Sequence, residues 1–310
     1  MATKVAGALL SAALLGLSAP AYAKCETEGP NALKVAMYKG GFATVNSFIF
    51  SDGRSIIVLD AQRKPYEAEK LIELIKSVNL PVTHILISHG HTDHFTGMPW
   101  LMDAFPDAKV VVANEDIRKD IKDYAIYMDQ GGATESEPIL EPRLKPKSPE
   151  NPDGFDYESS IRILKSNKLK MKGGCTLTLE TDYAPNEGRH MTTVYSKELN
   201  ALFLSDLGYN HIHPWMGDDI DRARVISWRN ELVRVRDKYA PLNPIIYPGH
   251  GDATDMSMFD EMIGYFDNFL HVTETATSRE EAMMKMKELY PDYGEADFFL
   301  LYSIINHVQE

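Results

Sequence analysis

Four potential metal ligands fall within six residues at the point where an apolar run ends, in Ser88-His89-Gly90-His91-Thr92-Asp93-His94. The run before it, Thr83-His84-Ile85-Leu86-Ile87, is short and apolar enough to be a buried strand, so the loop leaving that strand delivers the motif. Neutral imidazole nitrogens suit zinc, and Asp93 adds a hard carboxylate oxygen. Only Gly90 and Thr92 interrupt the set, which lets the side chains splay toward one point. A polar loop with an accidental histidine cluster rarely has this spacing, and the segment predicts a metal site.

Around it the chain alternates strand and helix. Residues 32–38 and 43–50 read as paired strands about a Lys39-Gly40-Gly41 turn, and 55–59 as a continuous apolar strand ending at Asp60. Pro65 opens a helix with Ala68, Leu71, Ile72, Ile75 and Val78 at helical spacing. Residues 96–105 read as helix, 109–113 as strand and 114–127 as a helix capped by Asn114. Such alternation predicts layered sheet and helix, not a barrel of hairpins. Residues 131–156 break the pattern with Pro138, Pro142, Pro146, Pro149 and Pro152, and read as either a lid or a mobile insertion. Tyr124, Tyr127 and Met128, just before it, are candidate pocket-lining residues or plain core. Short strands return over 161–179, a helix over 221–239 and a strand over 244–247. From about residue 255 the chain is helical, and its stripe Phe259, Met262, Ile263, Phe266 and Leu270 reads as core packing.

Residues 1–23 read as a secretory signal. Lys4 gives a positive start, residues 5–17 are apolar, and Ala21-Tyr22-Ala23 fits a small-x-small cleavage site. The apolar run is too short to span a bilayer comfortably. A mature domain from residue 24 is therefore expected in the periplasm or outside the cell, with no stable membrane anchor. An oxidising compartment permits a bridge between Cys25 and Cys175, while two unpaired thiols fit the sequence equally well. The net charge of −13, with no basic run, argues against nucleic acid, because phosphate binding needs clustered Lys and Arg. A small molecule is the expected partner, and the sequence sets no oligomeric state.

One loop cannot complete a two-metal site, so other ligands must come from elsewhere. His84 sits within an apolar strand and reads as core, and His271 and His307 lie on C-terminal helices. Residues 191–195 and 201–205 read as a hairpin. Folding it about Glu198 pairs 195 with 201, and by the same count His190 with Asp206, their Cβ atoms about 5 Å apart on one face. A one-residue slip would turn Asp206 to the other face. His250 lies between Gly249 and Gly251, whose backbone freedom lets the imidazole be pushed toward a metal.

The order H-x-H-x-D-H, a third histidine, an aspartate and a final histidine resembles the metallo-β-lactamase superfamily, over about residues 43–251. The resemblance implies an α/β fold, a four-layer αββα sandwich. It implies that His89, His91 and His190 hold one metal, that Asp93, His94 and His250 hold a second, and that Asp206 bridges them. Asp60, after its strand, would brace the metal loop. The cofactor implied is zinc, two ions per chain, with iron or manganese as alternatives. Three departures matter. The stretch Pro185-Asn186-Glu187-Gly188-Arg189-His190 lacks the usual signature around the third histidine, and the gap to Asp206 is short, so Glu187 is an alternative ligand. No cysteine follows His190, unlike the cysteine-ligand β-lactamases. Asp206 also sets the chain apart from the histidine-only ones.

Two metals together would favour hydrolysis: a water deprotonated near neutral pH attacks a carbonyl-type carbon of an ester, lactone, thioester, amide or isothiocyanate. Asp93 is the expected residue to orient the nucleophile and pass on its proton. His213 and Tyr209, on the stretch leaving Asp206, are candidates to donate a hydrogen bond to substrate, or structural loop residues. Alternatives are a β-lactamase, a mononuclear iron enzyme resembling persulfide dioxygenases in which His94 and His250 are idle, and a vestigial metal site.

Overall fold

The structure is a computed structural model that describes residues 24–41, 43–132, 142–217 and 219–309. The expected signal segment lies outside the described residues. The first sheet holds β1 (Lys34–Lys39), β2 (Asn46–Ser51), β3 (Ile56–Leu59), β4 (Val82–Leu86), β5 (Lys109–Val112) and β6 (Arg162–Ile163), in that spatial order. The second holds β7 (Lys168–Lys170), β8 (Thr176–Glu180), β9 (Thr193–Ser196), β10 (Ala201–Asn210) and β11 (Ile245–Gly251), again in sequence order. Strands β3 to β6 run parallel, as do β10 and β11, and the others pair antiparallel.

Parallel neighbours need helical crossovers. These are α1 (Pro65–Val78) between β3 and β4, then α2 (Thr92–Phe95) and α3 (Met98–Ala104) between β4 and β5. After β5 come α4 (Glu115–Asp129) and α5 (Tyr157–Ser160), and α6 (Arg222–Tyr239) joins β10 to β11. The chain closes with α7 (Ser257–Thr275), α8 (Arg279–Leu289), a π-helical turn at Ala296–Leu300 and α9 (Leu301–His307). Pro65 occupies the first turn of α1, and Asn114 Oδ1 caps α4 by accepting from Ile117 N at 3.0 Å.

Side-chain alternation along the strands divides the core into three layers. Phe48, Phe50, Ile57, Leu59, Leu177 and Phe203 pack between the sheets. Ile49, Ile56, Val58 and Ile85 face the other way, onto α1, α3 and α4 through Leu71, Leu101 and Ile121. The outer face of the second sheet meets α6 and α7 through Leu204, Trp228, Phe259 and Phe266. Helix, sheet, sheet, helix is the resulting order, the expected αββα sandwich. Cys25 and Cys175 form a disulfide across 150 residues of sequence, with Cys175 buried between the sheets. Of the irregular stretch, residues 133–141 lie outside the described residues. The part that follows is tied down: Leu144 is buried and its carbonyl accepts from Tyr157 Oη at 2.7 Å.

Two local readings differ from the sequence expectation. Residues 96–105 are not one helix, since α2 begins inside the histidine motif and α3 only at Met98. The β9–β10 hairpin pairs Ser196 with Ala201 and Tyr195 with Leu202, one residue off the expected register. Asn200, at φ 44°, accepts the left-handed conformation and shortens the turn to residues 197–200. His190 and Asp206 are therefore not cross-strand partners.

Candidate active site

The site collects at the carboxyl ends of parallel strands, where an open α/β sheet leaves a crevice. Asp60 follows β3, the histidine motif follows β4, and Asp206 and His250 lie in the second halves of β10 and β11. Asp206 reaches the site despite the hairpin's slip because β10 is irregular at Ser205. Ser205 sits at φ 49°, and the β10–β11 ladder shifts register on both sides of it. Such an irregularity re-aims the residue that follows. Gly249 completes the opening, since a Cβ there would lie 2.1 Å from Asp206 Oδ1.

Two groups of ligand atoms result, each with all its atoms within 4.8 Å of one another. One comprises His89, His91, Glu187 and Asp206; the other comprises Asp93, His94, Asp206 and His250. Asp206 belongs to both. Its Oδ1 lies 3.1 Å from His94 Nε2, and its Oδ2 lies 3.2 Å from His250 Nε2 and 3.7 Å from His89 Nε2. Glu187 Oε1 is 2.5 Å from His91 Nδ1, and its Oε2 is 3.4 Å from His89 Nε2. Arg224 of α6 holds this loop by donating to the Asn186 and Glu187 carbonyls at 2.5 and 2.8 Å.

The imidazoles are aimed from behind. His94 Nδ1 donates to Asp60 Oδ2 at 2.8 Å, and His250 Nδ1 donates to the Ala43 carbonyl at 2.5 Å. Because those partners accept, both rings present an Nε2 to the cluster. Asp60 also takes the Ser88 N–H and hydroxyl, each at 2.8 Å, and so pins the start of the motif. Tyr209 stacks on His250 at 4.7 Å and donates its hydroxyl to Asp206 Oδ2 at 3.2 Å.

The residues present fit metal ions. His89 Nε2, His94 Nε2, Glu187 Oε2 and Asp206 Oδ1 are buried without a hydrogen-bond partner among the described residues. Buried polar atoms are seldom left so, and here nitrogen and carboxylate lone pairs converge. Burial opposes the charged form of His91, but Glu187 outweighs it and carries the pKa up to about 9. His94 is likewise raised well above the ordinary value, burial being overcome by Asp206, Asp60 and Asp93. Asp206 is held well below the usual carboxylate range, burial being outweighed by His94 and His250.

His190, the expected third histidine ligand, belongs to neither group. It is about half exposed, and its Nδ1 bonds Asp120 Oδ2 at 2.8 Å. Glu187 stands in its place because the Pro185–Arg189 loop, not the hairpin, carries the chain past the metal motif. His213, a candidate to touch substrate, is buried away from both pockets at the site, its Nδ1 2.8 Å from Tyr265 Oη. Burial, helped by Lys287, pushes its pKa down to about 4. A histidine neutral in the folded chain and titrating near 6.5 when unfolded contributes stability above pH 6.5 that is lost as pH falls toward 4. Stability should drop by up to about 3 kcal/mol over that window through this residue. Urea titrations of wild type and His213→Gln at both pH values should show the variant losing less; equal losses would contradict this.

Two pockets meet at His91 and Tyr124. The wide one, about 500 Å³, is lined by His89, Tyr124, Tyr127, His190 and Arg224 among others. The narrow one, about 60 Å³, lies between Asp93, Asp206, Tyr209, Trp215, Phe298 and Phe299. Tyr124, Tyr127 and Met128, for which the sequence left pocket lining and core packing open, line these pockets. Sequence reading missed Phe298 and Phe299, which the π-helical turn brings to the site.

An αββα sandwich with a carboxylate shared between two ligand groups at its strand ends defines a class of metal-binding folds. Residues 40–250 match the model of the metallo-beta-lactamase superfamily. The chain belongs to that superfamily. Among curated relatives, the lactamase-like protein nscB of Aspergillus fumigatus is 26% identical over 62% of this chain and 54% of its own. An atrochrysone carboxyl ACP thioesterase of Pseudocercospora fijiensis is 31% identical over 33% of each. The chain thus spans about a third to a half of those relatives. Among solved structures, a metallo-beta-lactamase from Pontibacter korlensis aligns with 16% identity and TM-score 0.51, covering 76% of this chain and 94% of that one. At that identity the likeness is one of fold.

Proposed function

We propose that this chain is a two-metal hydrolase acting on a small molecule with a carbonyl-type centre, a thioester or ester before a β-lactam. The observation that carries the reading is Asp206, one buried carboxylate whose two oxygens face both ligand groups. A mononuclear iron enzyme would leave Asp93, His94 and His250 gathered for nothing. Bound divalent cations, zinc by the donor set, would supply Lewis acidity, activating water near neutral pH and polarising the scissile carbonyl.

The chain's own residues do the rest. Asp93, partly open to the narrow pocket and 3.6 Å from His250 Nε2, orients the attacking water and takes its proton. Burial, with Asp206 beside it, raises the Tyr209 pKa well above 10, so its phenol stays neutral and a donor to Asp206. Asp60 and the Ala43 carbonyl hold His94 and His250 in place. The wide pocket is of a size that encloses a small molecule. The thioesterase named among the relatives supports a thioester substrate. The signal-like N-terminus and the disulfide support export to an oxidising compartment. No described helix is long and apolar enough to cross a membrane.

Metal analysis of protein purified without chelator should find about two zinc ions per chain. Activity on a panel of thioesters, esters, lactones and β-lactams should vanish with a chelator and return with zinc. One iron per chain, or activity indifferent to chelation, would overturn the reading.

A further inference from the structure

With Glu187 among the ligands, His190 is freed for another task. Its Nδ1 bonds the Asp120 carboxylate at 2.8 Å. An ionised carboxylate only accepts, so Nδ1 keeps its hydrogen and Nε2 is the position that exchanges a proton. Both residues line the wide cavity together with His89 and His91.

Two features of the fold set this pair beside the cluster. His89 forms an isolated β-bridge with Met191, and Thr192 N donates to the Ser88 carbonyl at 2.9 Å, so the chain at 190 runs alongside the metal motif. A Cβ on Gly90 would lie 2.8 Å from the Asp120 carbonyl carbon, so glycine is what lets α4 approach this loop. The nearby arginines are poor proton donors. Arg189 and Arg224 both hold Asp219 at 2.9 Å, and guanidinium does not give up its proton.

We propose that His190, oriented by Asp120, protonates the leaving group inside the wide cavity. This rests on the hydrolase reading above. The attacking water forms the new carbon–oxygen bond and loses a proton to Asp93. The bond to the leaving oxygen or sulfur then breaks, and its electron pair goes to the departing atom. The proton on His190 Nε2 moves to that atom, and solvent returns the proton released at Asp93 to the imidazole. Substrate and water become acid and alcohol or thiol, with no oxidation. Asp93 serves the attacking end and His190 the departing end. Asp120 touches neither and acts as a positioning residue.

The test uses zinc-loaded full-length protein and acetate esters of phenols, from 4-nitrophenol to phenol. A general acid contributes about 100-fold or more, and most where the leaving group is most basic. His190→Gln should slow phenyl acetate about 100-fold and 4-nitrophenyl acetate several times less, steepening the dependence on leaving-group pKa. Asp120→Asn should steepen it in the same direction by about 10-fold, and imidazole should partly rescue His190→Ala. Both His190 variants should retain two zinc ions and their wild-type resistance to a competing chelator. A uniform loss across the series in active wild-type background, or the loss of one zinc from His190→Gln, would overturn the proposal alone. A wild type that binds two zinc ions yet turns over none of these acetates and none of the thioesters, esters, lactones and β-lactams of the panel would overturn the hydrolase reading and the proposal with it.

Discussion

Asp206→Asn is expected to strip metal from both positions and to lower turnover more than about 100-fold, with the fold intact. Residues that merely orient a ligand already cost about 10- to 100-fold when removed, and Asp206 is placed to be a ligand of both ions at once. The amide keeps the shape that fits against Gly249, so the backbone has no reason to move. It removes the charge that raises the pKa values of His94 and His250 against the effect of their burial. Circular dichroism, metal content and turnover measured on one preparation check this. A variant that keeps two ions and more than a tenth of the activity would contradict it.

The second large effect is on stability. Opening the Cys25–Cys175 bridge frees a loop of 150 residues in the unfolded chain. The chain-entropy account puts such a closure at about 5 kcal/mol, and native disulfides removed from folded domains cost about 2–5 kcal/mol. A Cys25→Ser, Cys175→Ala variant should therefore lose about 4 kcal/mol in urea unfolding. Its capacity to bind metal should not change, since neither sulfur lies in a ligand group. A loss below about 1 kcal/mol would show that the N-terminal segment contributes little to the fold.

What the sequence disclosed followed from how local each signal is. The His89–His94 motif and its strand are contiguous, so one apolar run and one spacing revealed them. The layered architecture followed from strand and helix periods that each span a few residues. Asp60 was legible only through the family resemblance, because nothing in a lone aspartate after a strand says which loop it will brace. Glu187 was harder. It sits in a loop without periodicity, and its role depends on Arg224, on a helix 37 residues further along, gripping the backbone there.

His190 lies apart from both ligand groups because it precedes β9, on a loop outside the hairpin, and because the hairpin itself pairs one residue off the expected register. Asn200 tolerates a positive φ and tightens the turn, and the irregularity at Ser205 within β10 brings Asp206 to the site by another route. Two backbone positions with positive φ decide the matter, and neither an asparagine in a turn nor a serine in a strand announces one in the sequence. His213 lies apart from the two pockets for a different reason. It follows the end of β10, where the chain has left the sheet, and packs against α7, where Tyr265 holds it. Phe298 and Phe299 lie more than forty residues beyond the matched region, and only the tertiary fold brings them back.

The central claim is that seven side chains, with Glu187 among them and His190 outside, surround two cations that share Asp206. A crystal structure of the zinc-loaded protein, with anomalous differences collected at the zinc edge, tests it most directly. Two peaks are predicted, one against His89, His91 and Glu187 and one against Asp93, His94 and His250, with Asp206 touching both. A single peak, or a peak held by His190 in place of Glu187, would contradict the account.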